Sequence, residues 1–113
     1  MGRTDDMFTY RAVNIYPSQI DYVLDRIEGV GSEFQIHLLL RENGRDMMRI
    51  KVERAERRSK SDDAALSEQI TAEIRHKILV RSEVEIVDHG MLPRTERKSK
   101  RVFDHRNGDD SSR

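Results

Sequence analysis

An α+β domain is expected from this 113-residue chain: a ferredoxin-like split βαβ sandwich with a short N-terminal hairpin and helices on one face of a mainly antiparallel sheet. Three observations carry that expectation. Two stretches repeat apolar residues at helical spacing, others alternate them at strand spacing, and turn residues separate them in the order β, α, β, β, α, β.

Met7 to Tyr10 and Val13 to Ile15 are aromatic and β-branched, so they form short extended pieces that pair around Arg11-Ala12. Tyr16-Pro17-Ser18 starts a helix, with the fixed φ of Pro17 suiting its first turn. Ile20, Val23, Leu24 and Ile27 make its apolar face, and Gly29 and Gly31 stop it. Phe34 to Leu40 is a strand, Asn43-Gly44 a tight-turn signal, and Met48, Ile50 and Val52 alternate on the return strand. Residues 53 to 61 have no apolar period and form a solvated connection. Ser61 or Asp62 caps a second helix, whose stripe is Leu66, Ile70, Ile74 and Ile78. Val84 and Ile86 belong to a final core strand, Gly90 breaks it, and a proline-marked basic loop follows. Residues 107–113 are expected to be a disordered tail.

Composition narrows the function. The 21 basic residues cancel the 21 acidic ones, so overall charge gives no reason to expect nucleic acid or an anionic membrane as partner. Only Phe103 accompanies the closing basic cluster, too little for an aromatic-interleaved nucleic-acid patch. There is no cysteine, hence no disulfide framework, thiolate metal site or cysteine nucleophile, which fits a cytoplasmic protein. No apolar run approaches the roughly 20 residues of a membrane span. His37, His76, His89 and His105 are surface or packing residues, and Asp5 and Asp6 lie at no metal-ligand spacing from them, so no metal site is expected.

The unusual chemistry lies at the two ends. Gly2-Arg3-Thr4-Asp5-Asp6 opens the chain and runs on through Met7-Phe8-Thr9-Tyr10-Arg11-Ala12-Val13-Asn14-Ile15-Tyr16-Pro17. Pro93-Arg94-Thr95-Glu96-Arg97-Lys98-Ser99-Lys100-Arg101 nearly closes it. Taken alone, the acidic pair is a turn or cap and the basic run a solvated loop. Together they resemble the opening and closing motifs of the C-terminal domain in adenylate-forming enzymes, most closely phenylacetate-coenzyme A ligases: Gly-Arg-x-Asp-Asp-Met, x-Arg-Gly-Val-Asn-Val-Phe-Pro, and Pro-Arg-Ser/Thr-x-Gly-Lys-x-x-Arg.

The resemblance implies a division of labour. Residues 1–6 would be a hinge segment, with Asp5 the hinge residue and Arg3 meeting the nucleotide ribose. Residues 7–106 would be the mobile C-terminal domain. Lys98 would be the catalytic lysine that reaches a partner domain during adenylation, with Arg94, Lys100 and Arg101 in support. Ala12 would border the coenzyme A passage. The substrates would be an aryl acid, ATP and coenzyme A, with Mg2+ held by an N-terminal adenylation domain outside this chain, and the isolated domain would be inactive. In two places the chain departs from the pattern: Ala12 and Arg97 stand where the family has glycine. A ligase for a different acid, such as a coenzyme F390 synthetase-like enzyme, is the alternative within the family. A stand-alone ferredoxin-like binding or regulatory module, homodimeric through its sheet, is the alternative outside it.

Overall fold

A computed structural model describes residues 7–40, 44–92 and 102–106: a two-stranded hairpin, a four-stranded sheet and two helices on one face of that sheet. The hairpin pairs β1 (Phe8–Tyr10) with β2 (Val13–Ile15), and its register leaves Arg11 and Ala12 as a two-residue loop. Both loop residues have positive φ, 51° and 68°, the backbone that matches the twist of the flanking strands. Phe8, Tyr10 and Ile15 point into the core, while Thr9 and Asn14 face outward and bond to each other.

Helix α1 (Pro17–Asp25) begins at the proline, and the Gln19 side-chain oxygen accepts from the Tyr16 N–H at 2.7 Å, satisfying one donor at the helix entrance. Its Ile20, Val23 and Leu24 are buried, as is Ile27 just beyond it. Gly29, at φ 99°, makes the reversal that ends this stretch. Gly31, expected to help stop the helix, belongs instead to strand β3 (Val30–Leu40), which starts before Phe34 through an irregularity in its pairing. A Cβ at Gly31 would stand 3.0 Å from the Glu53 carbonyl oxygen, so a residue without a side chain lets the two strands close here.

Strand β4 (Asp46–Arg54) runs antiparallel to β3 and two residues past the expected end at Val52. The solvated connection therefore does not begin at residue 53: Glu53 and Arg54 are paired and buried. Sequence patterning misses this because two charged residues in a charged run look solvated until their distant partners are known. The remaining stretch turns through a short 3-10 segment, Lys60–Asp62, entered by a bond from the Ser61 N–H to the Ser59 hydroxyl. Helix α2 (Asp63–Ile78) buries Leu66, Ile70, Ile74 and Ile78 as the stripe predicts. Asp62 holds the cap position without a side-chain bond. Leu79 closes the helix with φ 70°.

Strand β5 (Glu83–Val87) lies parallel to β4, with Val84 beside Ile50 and Ile86 beside Val52. It is not the final strand. A further strand, β6 (Val102–Asp104), follows the closing basic segment and pairs in parallel with β3, giving the order β5-β4-β3-β6. Its three residues are too few to register as a period. The long central pair is antiparallel and the helices share one face, the arrangement expected of the α+β class. Phe34, Ile36, Leu38, Met48, Ile50 and Val52 meet the helices, and fully burying each such side chain contributes roughly 1.5–3 kcal/mol. The opposite face carries Gln35, His37, Arg49 and Lys51, all partly exposed. No helix among the described residues is long and apolar enough to cross a membrane.

Candidate functional site

Arg3, Asp5, Asp6, Arg94, Arg97, Lys98, Lys100 and Arg101 lie outside the described residues, as do Asn43 of the turn signal and the tail 107–113. What the structure does place is the ground on which those segments stand: the hairpin that follows the opening motif, and the residues on either side of the closing one.

Ala12 sits exposed at the hairpin tip, its methyl group carried on a left-handed backbone where glycine would be unstrained. Tyr10, fully buried, roots the hairpin by donating its hydroxyl to the Arg81 carbonyl at 2.9 Å. Arg11 lies over the Tyr10 ring and donates twice to the Asp46 carbonyl, at 2.6 and 3.2 Å, fastening the tip to the start of β4. Arg106, just past β6, comes to the same place. One of its terminal nitrogens donates to the Thr9 carbonyl at 2.9 Å and to the Asp46 carboxylate at 2.8 Å, and its other nitrogens hold Asp104. The hydrogen bonds that Arg106 donates to Asp104 raise the guanidinium above its ordinary value and hold the Asp104 carboxyl below its own. The chain leaving the opening motif and the chain leaving the closing motif are thus bound to one point on one rigid sheet.

Strand β6 has a second attachment on the open face. The His37 ring stacks on Phe103 at 4.9 Å and lies in plane with His105, their nearest nitrogens 3.0 Å apart. Its other nitrogen is 3.0 Å from the Gln35 side-chain oxygen. That oxygen only accepts, so His37 donates to it from Nε2 and uses Nδ1 to accept from His105. A proton on Nδ1 would abolish that acceptor. Burial, followed by the nearby charges of Lys51, His105 and Arg49, lowers the His37 pKa to about 4.

The far end of β4 holds the entrance to the closing segment. Arg54 forks onto Asp63 at the start of α2, with bonds of 2.8 and 2.7 Å, and donates to Asp88 after β5 at 2.8 Å. These bonds raise the guanidinium above its ordinary value, and the Arg54 bonds hold the Asp63 carboxyl below its own. Glu53 points to the opposite side, where it is fully buried and accepts from the Leu92 N–H at 2.9 Å. His89 Nδ1 is 3.9 Å from its other oxygen. Leu92 is itself buried, and Pro93 of the closing motif is next in sequence. Sequence reasoning missed Glu53, Arg54 and Arg106. The available signal was the alternation through Met48, Ile50 and Val52, which continues onto Arg54 and puts it on the core side.

Residues 12–106 match the family model described as AMP-binding enzyme C-terminal domain. The chain is 33% identical to the phenylacetate-coenzyme A ligase of Escherichia coli strain K12 over 94% of its own length and 25% of that protein's. It therefore spans about a quarter of the length of the curated relatives it matches. Among solved structures, it is similar to a domain of phenylacetate-coenzyme A ligase from Bacteroides vulgatus, with a TM-score of 0.80, 33% identity, and coverage of 93% of this chain and 97% of that one. It is also similar to 2-hydroxyisobutyryl-CoA ligase captured with 2-HIB-AMP and CoA in the thioesterification state, with a TM-score of 0.78, 35% identity, and coverage of 94% and 22%. The same ligase has been captured in a postadenylation state, similar to this chain at a TM-score of 0.75 and 34% identity, with coverage of 96% and 24%.

Proposed function

We propose, starting from a chain that belongs to the AMP-binding enzyme C-terminal domain family and is the C-terminal domain of a phenylacetate-coenzyme A ligase-like enzyme, that the complete protein turns an aryl acid, ATP and coenzyme A into an aryl-acyl-CoA, AMP and pyrophosphate. Lys98 is the residue this domain contributes to the first half-reaction. Attack of a carboxylate on the α-phosphate brings two anions together, and an ammonium held in a partly dry site offsets their repulsion as charge develops. Arg94, Lys100 and Arg101 support that loop, and Arg3 meets the ribose. The N-terminal region would hold ATP with its Mg2+.

The second half-reaction needs a different face of the same domain. Rotation about Asp5, in the hinge segment 1–6, withdraws Lys98 and turns the hairpin tip, with Ala12, toward the path of the pantetheine thiol. The observation that carries this reading is the double attachment at Asp46, where Arg11 and Arg106 tie the hairpin and the strand after the closing segment to one body. Motion of that body moves both motifs together. The capture of the similar 2-hydroxyisobutyryl-CoA ligase in postadenylation and thioesterification states supports it. Comparable identity to that ligase and to the phenylacetate ligases favours a second reading of the substrate, a different carboxylic acid selected by the N-terminal region.

Lys98→Ala in the complete ligase is expected to slow acyl-adenylate formation about 10²- to 10³-fold, the usual loss for one preorganised electrostatic donor. Thioester formation from supplied acyl-adenylate should be largely spared. Single-turnover assays of the two half-reactions decide it, and equal slowing of both would remove Lys98 from the chemistry.

A further inference from the structure

On the outer side of β4, alternate residues should share a similar exposure, and Arg49 and Lys51 are indeed partly open to solvent. Glu53 is next on that side and is not exposed at all. The chain after β5 folds across it, bringing His89 and Leu92 over the carboxylate. A buried carboxylate is costly unless it is bonded, so a purely structural position would be filled better by an apolar residue. Among the described residues, the carboxylate makes a charge-assisted bond to the backbone N–H of Leu92, at 2.9 Å. We propose that Glu53 is a positioning residue for adenylation: by holding the Leu92 backbone, it fixes the point from which the closing segment departs and so limits where Lys98 can go.

Chain geometry gives that anchor its effect. Lys98 lies six positions after Leu92, an extended reach of at most about 22 Å, and four before Val102, at most about 14 Å. Leu92 is held by its buried side chain and by Glu53, and Val102 by its pairing beside Ile36. Chain length therefore limits Lys98 to the overlap of two reaches, one from the point held against β4 and one from β6. Releasing the Leu92 backbone widens that overlap and lowers the fraction of time the ammonium spends at the productive position. The inference rests on Lys98 being the adenylation lysine.

The test compares Glu53→Asp, which draws the acceptor back by one methylene, with Glu53→Gln, which keeps an oxygen at the same reach. In the complete ligase, Glu53→Asp should slow acyl-adenylate formation about 10-fold and leave thioester formation from supplied acyl-adenylate within 2-fold, while Glu53→Gln restores most of the rate. Lys98→Ala runs beside them. If Lys98→Ala shows no selective loss, the reading of the lysine fails and this inference with it. If Lys98→Ala is selective but Glu53→Asp slows both half-reactions equally, or neither, the lysine stands and the positioning role is overturned. A measurement on the unsubstituted chain requires no variant: the Leu92 amide should exchange with solvent at least 100-fold more slowly than a free amide, and an unprotected amide there would also overturn the inference.

Discussion

At the Asp46 end of β4 the organising arginine comes from outside the strand: Arg106 reaches in from beyond β6 to two carboxylates and a backbone carbonyl, with side chains 21–42% exposed. At the Arg54 end the arginine belongs to the strand itself, is 10% exposed, and joins β4 to the first turn of α2 and to the residue after β5. The same fork chemistry therefore does two jobs. In the first, bonds in partial contact with water hold the hairpin and the short edge strand to the end of β4. In the second, the guanidinium and Asp63 are drawn in between sheet and helix, where an unpaired charge meets little water, and only Asp88, 68% exposed, stays in solvent. The first end is suited to fastening the two functional segments, and the second to holding the domain together.

Removing each arginine tests that distinction most strongly. Arg54→Leu leaves Asp63 and the neighbouring carboxylate of Asp88 without their fork, and should lower the thermal midpoint by on the order of 10 °C. Arg106→Leu should lower it by about 3–5 °C, because water replaces much of what is lost at a half-open site. In hydrogen exchange, the Arg106 variant should deprotect the hairpin and β6 and leave α2 as slow as before. Equal midpoint losses, with deprotection spread through α2 in both variants, would show that the two ends are not different in kind.

Acid offers a gentler way to separate them. His37 takes its proton at about 4 in the folded chain and at 6.5 when unfolded, so between these values the unfolded state binds more protons. The stability that depends on neutral His37 is complete above about pH 6.5 and declines as the pH falls toward 4. After solvent screening, this amounts to about 1 kcal/mol. Asp63 and Asp104 act in a lower range: their pKa values lie below 3.8, so their contributions are present above that value and are lost only as the pH falls through the folded ones. Denaturant titrations from pH 7 to pH 4.5 should show the decline, with β6 amides loosening first because His37 no longer accepts from His105. His37→Gln should flatten the slope, and an unchanged slope in that variant would assign it elsewhere.

The smallest effect belongs to the hairpin tip. Ala12→Gly relieves a left-handed backbone but frees the unfolded chain, for a net gain of about 0.5 kcal/mol in chemical denaturation. It should move neither arginine cluster. A net loss would mean that the Ala12 methyl group makes a contact worth more than the strain it causes.

Local rules alone determined much of this protein. The stripe from Leu66 to Ile78, the proline start of α1, the alternation through Met48, Ile50 and Val52, and the two extended pieces around Arg11-Ala12 each need only neighbours a few residues away, and each appears where periodicity puts it. The terminal motifs were equally legible as a family resemblance. Tertiary structure decided the rest, because its causes lie far apart along the chain. Arg106 meets Thr9 across 97 positions, Tyr10 meets Arg81 across 71, and Glu53 meets Leu92 across 39. Alternation along β4 reaches Arg54, but no local pattern marks Glu53 as buried, β6 as a strand, or two separated histidines as one hydrogen-bonded pair. A charged side chain is solvated or buried according to whether the fold brings a partner to it, and that partner is chosen by topology rather than by sequence spacing.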